Sequence, residues 1–149
     1  MPEGIPCVVY VKDNKIFLSE RKNLININGE VLWSPYAIKL SPDDRIADYP
    51  QIKRCGALLV VCWIQRPLNS NSYEIAYRVY TPSTGWGPVE IVYQSEEFTN
   101  YPNIDIKKTN IDYKIYFLFT KKSEPIYECI FRERSFIPYP IFSTIIENE

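Results

Sequence analysis

A repeat of about 50 residues is the feature that most constrains how this chain can fold. The segment WSPYAI at 33–38 returns 53 residues later as WGPVEI at 86–91. The tyrosine-proline pair in DYPQI at 48–52 returns in NYPNI at 100–104. Self-similarity at a fixed spacing of this size is typical of architectures in which small, similar units stack on one another.

The repeat divides the chain into three units within one domain of 149 residues, at about 1–45, 46–98 and 99–149. A third strand-like segment, ECIFR at 128–132, follows EIAYR at 74–78 by 54 residues and marks the last unit. Alternation of apolar and polar residues predicts β-strands, and a single helical turn is expected only at 96–97. The predicted strands of the second and third units are 49–53, 57–65, 73–80, 86–93, 101–106, 113–120, 127–134 and 141–146.

Four antiparallel strands per unit, with aromatic markers at each repeat, are typical of β-propeller blades. The apolar run at 57–64 suits a strand that neighbouring blades cover on both faces. Three blades do not close a ring, and only residues 1–5 are available for the first strand of the first unit. We therefore expect an all-β protein of three four-stranded antiparallel blades, with two copies completing a six-bladed ring as a homodimer. A compact β-sandwich or an open stack of sheets is the alternative.

The repeats resemble those of sialidase-like β-propellers. The similarity covers the Tyr-Pro-x-Ile entry, the apolar strand, Glu-Ile-x-Tyr-Arg and Gly-Trp-x-Pro. The Asp-box of that family, Ser-x-Asp-x-Gly-x-Thr-Trp, corresponds here to TPSTGW at 81–86, which lacks the aspartate and is two residues shorter. The resemblance implies degenerate Asp-box blades. Activity in that family implies an arginine triad, a tyrosine–glutamate pair and an acidic general acid, and no motif of this chain matches those roles.

Composition excludes several kinds of chemistry. The chain has no histidine, which removes Ser-His-Asp and Cys-His nucleophiles and histidine-ligated metals. Its formal net charge of −1 removes the usual electrostatic basis for binding nucleic acid. The sequence contains no Cys-x-x-C pair, phosphate-binding glycine loop or EF-hand. We therefore expect no metal, no cofactor and no nucleic-acid partner.

Targeting signals and cysteines give weaker expectations. No basic, apolar leader opens the sequence, and no apolar stretch approaches 18 residues. We therefore expect no signal peptide or membrane segment and, by default, a cytoplasmic location. Cys7, Cys55, Cys62 and Cys129 mostly lie in apolar, strand-like runs, which predicts buried thiols, with a disulfide as the alternative.

Candidate ligand-binding residues are aromatic or charged side chains at recurring positions. Aromatic faces can stack on sugars, and charged groups can bind their hydroxyls. An alternative assigns the tryptophans to packing between blades and the Glu–Arg pairs to ion pairs worth about 0–1 kcal/mol. Under the same alternative, Asp48 would cap a turn. The candidates are Glu74, Arg78, Trp86, Trp33, Tyr49, Tyr101, Asp48, Glu128 and Arg132.

These features favour a non-catalytic β-propeller that acts as a binding or scaffold protein in protein interaction. Its expected partners are a second copy of itself and another protein or a glycan. A lectin-like, carbohydrate-binding propeller is the alternative. Less favoured is a glycoside hydrolase, in which a symmetric dimer would supply Asp48 twice as the required pair of carboxylates.

Overall fold

The structure, a computed structural model, describes residues 5–34 and 36–138. These residues form three antiparallel β-sheets without a helix, which confirms the predicted all-β class. None of them belongs to a helix that could span a membrane. The helical turn predicted at 96–97 is wrong, because those residues form a bend between two strands.

Each sheet is built from one continuous stretch of chain, and strands that follow one another mostly pair as neighbours. The first sheet contains β1 (Cys7–Lys12), β2 (Lys15–Ile25), β3 (Val31–Trp33) and β4 (Ile38–Lys39). The second contains β5 (Arg45–Cys55), β6 (Leu58–Pro67), β7 (Tyr73–Thr81), β8 (Gly85–Trp86) and β9 (Glu90–Ser95). The third contains β10 (Thr99–Lys108), β11 (Tyr113–Ser123) and β12 (Ile126–Phe136).

The fourth strand predicted for the second unit is interrupted in the structure. Tyr80 pairs with Trp86 in β8, whereas Tyr77 pairs with Glu90 in β9. Pro88 lies in the gap and has no N–H to donate to a ladder, so the strand breaks there. The strand predicted at 141–146 lies outside the described residues. So do residues 1–4 of the segment 1–5, which was the one available for the first strand of the first unit.

The second sheet lies between the other two, and β6 shows this most directly. Leu58, Val60 and Cys62 belong to the core shared with the third sheet, where Ile104, Ile115, Phe117 and Phe119 meet them. Leu59, Val61 and Trp63 belong to the core shared with the first sheet, together with Ile16, Leu18, Leu40 and Ala76. Successive strand residues point to opposite faces, so the unbroken apolar run reflects burial on both sides.

Candidate functional site

The two repeated tyrosine-proline pairs lie side by side at neighbouring edges of the second and third sheets. Each pair interrupts the regular pairing of its strand with the next one. The register shifts between Asp48 and Gln51 where β5 pairs with β6, and between Asn100 and Asn103 where β10 pairs with β11. The rings of Tyr49 and Tyr101 meet edge to face with their centroids 5.6 Å apart. Both rings remain partly open to solvent, which makes this pair an exposed aromatic surface.

Both tyrosines have left-handed backbone conformations. Their φ values are 51° for Tyr49 and 54° for Tyr101, a region that bulky side chains rarely adopt. The preceding side chain supports each one: Tyr49 N donates to Asp48 Oδ1 at 2.7 Å, and Tyr101 N donates to Asn100 Oδ1 at 2.8 Å. Backbone strain of this kind costs about 1–3 kcal/mol per residue and persists where the surrounding structure enforces it.

Replacing Tyr49 by glycine should destabilise the protein less than replacing it by alanine. Both variants lose the contact with Tyr101, but only alanine keeps the steric cost of the left-handed conformation. We expect the glycine variant to be more stable by about 1 kcal/mol in urea unfolding. An alanine variant at least as stable as the glycine variant would contradict the assigned backbone conformation.

A cavity of about 230 Å³ opens beside Tyr49, between the second and third sheets. Aromatic rings flank it, including Tyr73 and Phe98, whose centroids are 5.4 Å apart. Asp48, Arg66 and Asn100 supply polar groups to its wall. Arg66, Tyr73 and Phe98 were not among the residues predicted from sequence. They come from β6, from the start of β7 and from the residue before β10, and only the packing of the second and third sheets brings them together.

Glu74 is buried in a polar network rather than lying on an open strand face. Its carboxylate accepts hydrogen bonds from Gln65 Nε2 at 2.8 Å and from Arg45 Nε at 3.1 Å. Gln65 Oε1 in turn accepts a bond from Trp63 Nε1 at 2.8 Å. The hydrogen bond to Glu74 raises the pKa of the Arg45 guanidinium, against the opposing effect of burial. These contacts link strands β5, β6 and β7.

Arg78 and Trp86 form a second cluster, away from the tyrosine pair. The guanidinium carbon of Arg78 lies 5.7 Å from the centre of the Trp86 ring, a cation–π arrangement. Arg78 also donates to the Gly87 carbonyl at 2.8 Å and to the Leu40 carbonyl at 3.3 Å. Burial lowers the pKa of its guanidinium. The cluster joins the first and second sheets, consistent with tryptophan packing between sheets.

The remaining predicted residues are dispersed over the molecule. Glu128 lies 4.0 Å from Lys121, and the Arg132 guanidinium carbon lies 5.2 Å from the centre of the Tyr93 ring. Trp33 is 45% exposed at the end of β3. Of the nine candidates, the structure therefore brings Asp48, Tyr49 and Tyr101 together at one open surface.

A larger cavity of about 490 Å³ lies at the other end of the sheets, among hairpin turns. Its charged residues already have partners: Lys108 lies over the ring of Tyr113, and Asp112 accepts a bond from Thr109 Oγ1. The hydrogen bond from Thr109 holds the pKa of Asp112 below its usual range, and the nearby ammonium group of Lys114 lowers it further.

The four cysteines are free thiols, but their burial differs from the prediction. Cys62 is fully buried, and burial raises the pKa of its thiol. Cys7 and Cys55 are partly buried, and Cys129 is exposed because no described sheet covers its side of β12. The described residues contain no group of three acidic or cysteine side chains able to hold a metal ion.

The two outer faces of the stack expose apolar side chains. On the third sheet, Leu118 is 47% exposed and Phe131 is 55% exposed. On the first sheet, Val8 is 41% exposed, and the rings of Tyr10 and Phe17 stack at 5.8 Å. Leu118 pairs with Phe131 in the third sheet and Tyr10 pairs with Phe17 in the first, so each outer face carries an apolar cross-strand pair.

The repeat relates these exposed residues to buried ones. Leu118 pairs with Phe131 as Cys62 pairs with Tyr77, and the latter two lie in the core facing the third sheet. Tyr10 pairs with Phe17 as Trp63 pairs with Ala76, and the latter two lie in the core facing the first sheet. The positions that form the two internal interfaces therefore recur on the two outer faces, where no other described sheet covers them.

Comparison of the chain with protein-family models, with curated proteins and with solved structures found no match.

Proposed function

We propose that this chain is a non-catalytic β-propeller binding module whose first partner is a second copy of itself. The observation that carries the proposal is the repeat relation between the outer faces and the internal interfaces. The outer face of the third sheet corresponds in the repeat to the face of the second sheet that packs against the third. The outer face of the first sheet corresponds in the repeat to the face of the second sheet that packs against the first. A further copy can continue the stack in the same sense.

Two copies arranged in this way would contribute six sheets and bury both outer faces of each chain. A head-to-tail contact closes a ring when the rotation per unit is right, and six blades lie within the usual range. Burial of the two outer faces would also remove from solvent the kind of apolar surface that soluble monomers rarely expose. The neighbouring tyrosine pairs would then face the ring axis, where a further partner protein could bind.

Replacing Leu118 by aspartate should weaken the association. A carboxylate at this position would be buried against the apolar face of the partner, at a cost of a few kcal/mol. Since about 1.4 kcal/mol corresponds to a tenfold change, we expect a dissociation constant at least about 100-fold higher. Sedimentation velocity over a concentration series measures this change.

Ile111→Asp is the matched control, because Ile111 is also exposed but lies in the turn between β10 and β11. It should leave the dissociation constant within about threefold of the starting value. Equal effects of the two substitutions would remove the third-sheet face from the interface.

A second candidate function, carbohydrate binding, is favoured by the cavity beside Tyr49. Its aromatic walls and its Asp48, Asn100 and Arg66 side chains combine stacking surfaces with groups that bind hydroxyls. Glycan-array binding that is lost in Tyr49→Ala and kept in Tyr127→Ala would support it. Tyr127 is a suitable control because it is 66% exposed on β12, remote in sequence from the tyrosine-proline pairs.

Glycoside hydrolysis is less well supported by the same site. Asp48 contributes one carboxylate to the cavity, and the repeat-related position holds Asn100. Hydrolysis through two carboxylates would need a second acid from another copy. Turnover of a fluorogenic glycoside that disappears in Asp48→Ala would favour the enzyme over both binding functions.

A further inference from the structure

The free edge of β1 has the features of a position from which a strand is missing. Among the described residues, β1 pairs with β2 on one side and with no strand on the other. The strand at the corresponding position is β6 in the second sheet and β11 in the third. On the side that is free in β1, β5 pairs with β6 and β10 pairs with β11.

The hydrogen bonds of β2 show which backbone groups of β1 point outward. Ile16 N donates to Ser41 Oγ at 2.9 Å, and Ile16 O accepts a bond from Leu40 N at 2.8 Å. Both backbone groups of Ile16 thus point away from β1. Its register partner Val11 is therefore in a non-hydrogen-bonded pair, and its own N–H and C=O point to the free edge.

The same alternation extends along the strand. Arg21 N donates to Pro6 O at 2.8 Å, so Pro6 and every second residue after it bond to β2. Cys7, Val9 and Val11 then present three N–H and three C=O groups outward. Lys12 is the one charged residue of β1, at its end, so the edge has little protection against strand pairing.

We propose that β1 binds an extended peptide segment of the pattern Tyr-Pro-x-Ile, running antiparallel to it, by β-strand addition. The direction and the pattern follow from β5 and β10, which fill this place in the other two sheets. In the second sheet the Tyr-Pro irregularity lies opposite Trp63, to which Tyr10 corresponds in the first. The tyrosine of the bound segment would therefore lie next to Tyr49, on the side away from Tyr101.

The test uses the full chain, labelled with ¹⁵N, and a blocked synthetic peptide with the sequence of β10, TNYPNIDIKK. We expect saturable shifts of the Cys7, Val9 and Val11 amide signals and at least tenfold slower hydrogen exchange at Val9 and Val11. Val11→Pro removes an outward N–H without removing a bond to β2 and should lower the affinity at least tenfold. Val11→Thr keeps the N–H and should bind as the original chain does.

Absence of saturable binding at millimolar peptide would overturn the proposal. So would shifts confined to another edge such as β12, or equal binding by Val11→Pro and Val11→Thr. A peptide of the same composition in scrambled order should not bind. The proposal does not depend on self-association, because sedimentation of the peptide-free chain reports on the outer faces and the amide signals report on the β1 edge.

Discussion

Replacing Trp63 by alanine should lower the free energy of unfolding by about 3–5 kcal/mol. Trp63 is fully buried between the first and second sheets, so truncation leaves a large cavity among side chains from β2, β5 and β7. The loss also removes the donor to Gln65 Oε1, which stands at the start of the network leading to Glu74. The cavity and the lost hydrogen bond both destabilise the second sheet, which lies between the other two.

Trp33→Ala is the control for this experiment, since it deletes the same side chain from a site that is 45% exposed. We expect it to cost about 1 kcal/mol or less, because less apolar area leaves water on folding at that position. Urea unfolding followed by circular dichroism, at one protein concentration because association shifts apparent stability, measures both variants. Similar losses in the two variants would contradict the central position assigned to β6.

Replacing Glu74 by alanine is expected to cost about 3 kcal/mol, a large effect for one carboxylate. The side chain is 8% exposed, and it accepts hydrogen bonds from both Arg45 and Gln65. Its removal leaves a buried amide donor and a partly buried guanidinium without their acceptor, which is more costly than losing an exposed ion pair. Arg45 keeps its contact with Asp44, which places the expected loss at the lower end of the range for buried pairs.

The repeat supplies the matched control, Glu128→Ala. Glu128 occupies the position of Glu74 in the third unit, but it is 43% exposed and its nearest cation, Lys121, is 4.0 Å away. Its replacement should change the stability by about 0.5 kcal/mol or less. Urea unfolding of both variants tests the comparison, and a loss at Glu128 equal to that at Glu74 would show that burial does not distinguish the two sites.

The strands could be predicted largely from sequence, because their information is local. Alternation at 73–80 and the apolar run at 57–65 correspond to β7 and β6, and the two-sided burial of β6 follows from its composition. The single strand predicted at 86–93 is wrong, because β8 and β9 are separated by a break at which Pro88 is the local signal. Proline within a run of strand residues indicates an interruption or an edge.

The site was less predictable, because long-range packing determines it. Alternation puts Glu74 and Arg78 on one face of β7, but it does not show that the first sheet covers that face. The partner of Glu74, Arg45, comes from β5, 29 residues earlier in the chain. The left-handed backbone of Tyr49 and Tyr101 likewise has no local signal, since glycine and asparagine are the residues that usually mark it.

The described residues form three stacked antiparallel sheets. Those sheets have three to five strands rather than four in each. Closure into a ring and the second copy remain our proposal. It depends on apolar positions that are buried at the two internal interfaces and that recur on the two outer faces, where the described part of the chain places no further sheet.

The mass of the chain in solution tests this proposal most directly. Sedimentation equilibrium at low micromolar concentration should give about 35 kDa, twice the 17.5 kDa of one chain. The value should stay constant when the concentration is raised tenfold, because a closed ring leaves no outer face for further addition. A single species of 17.5 kDa throughout that range would contradict the account.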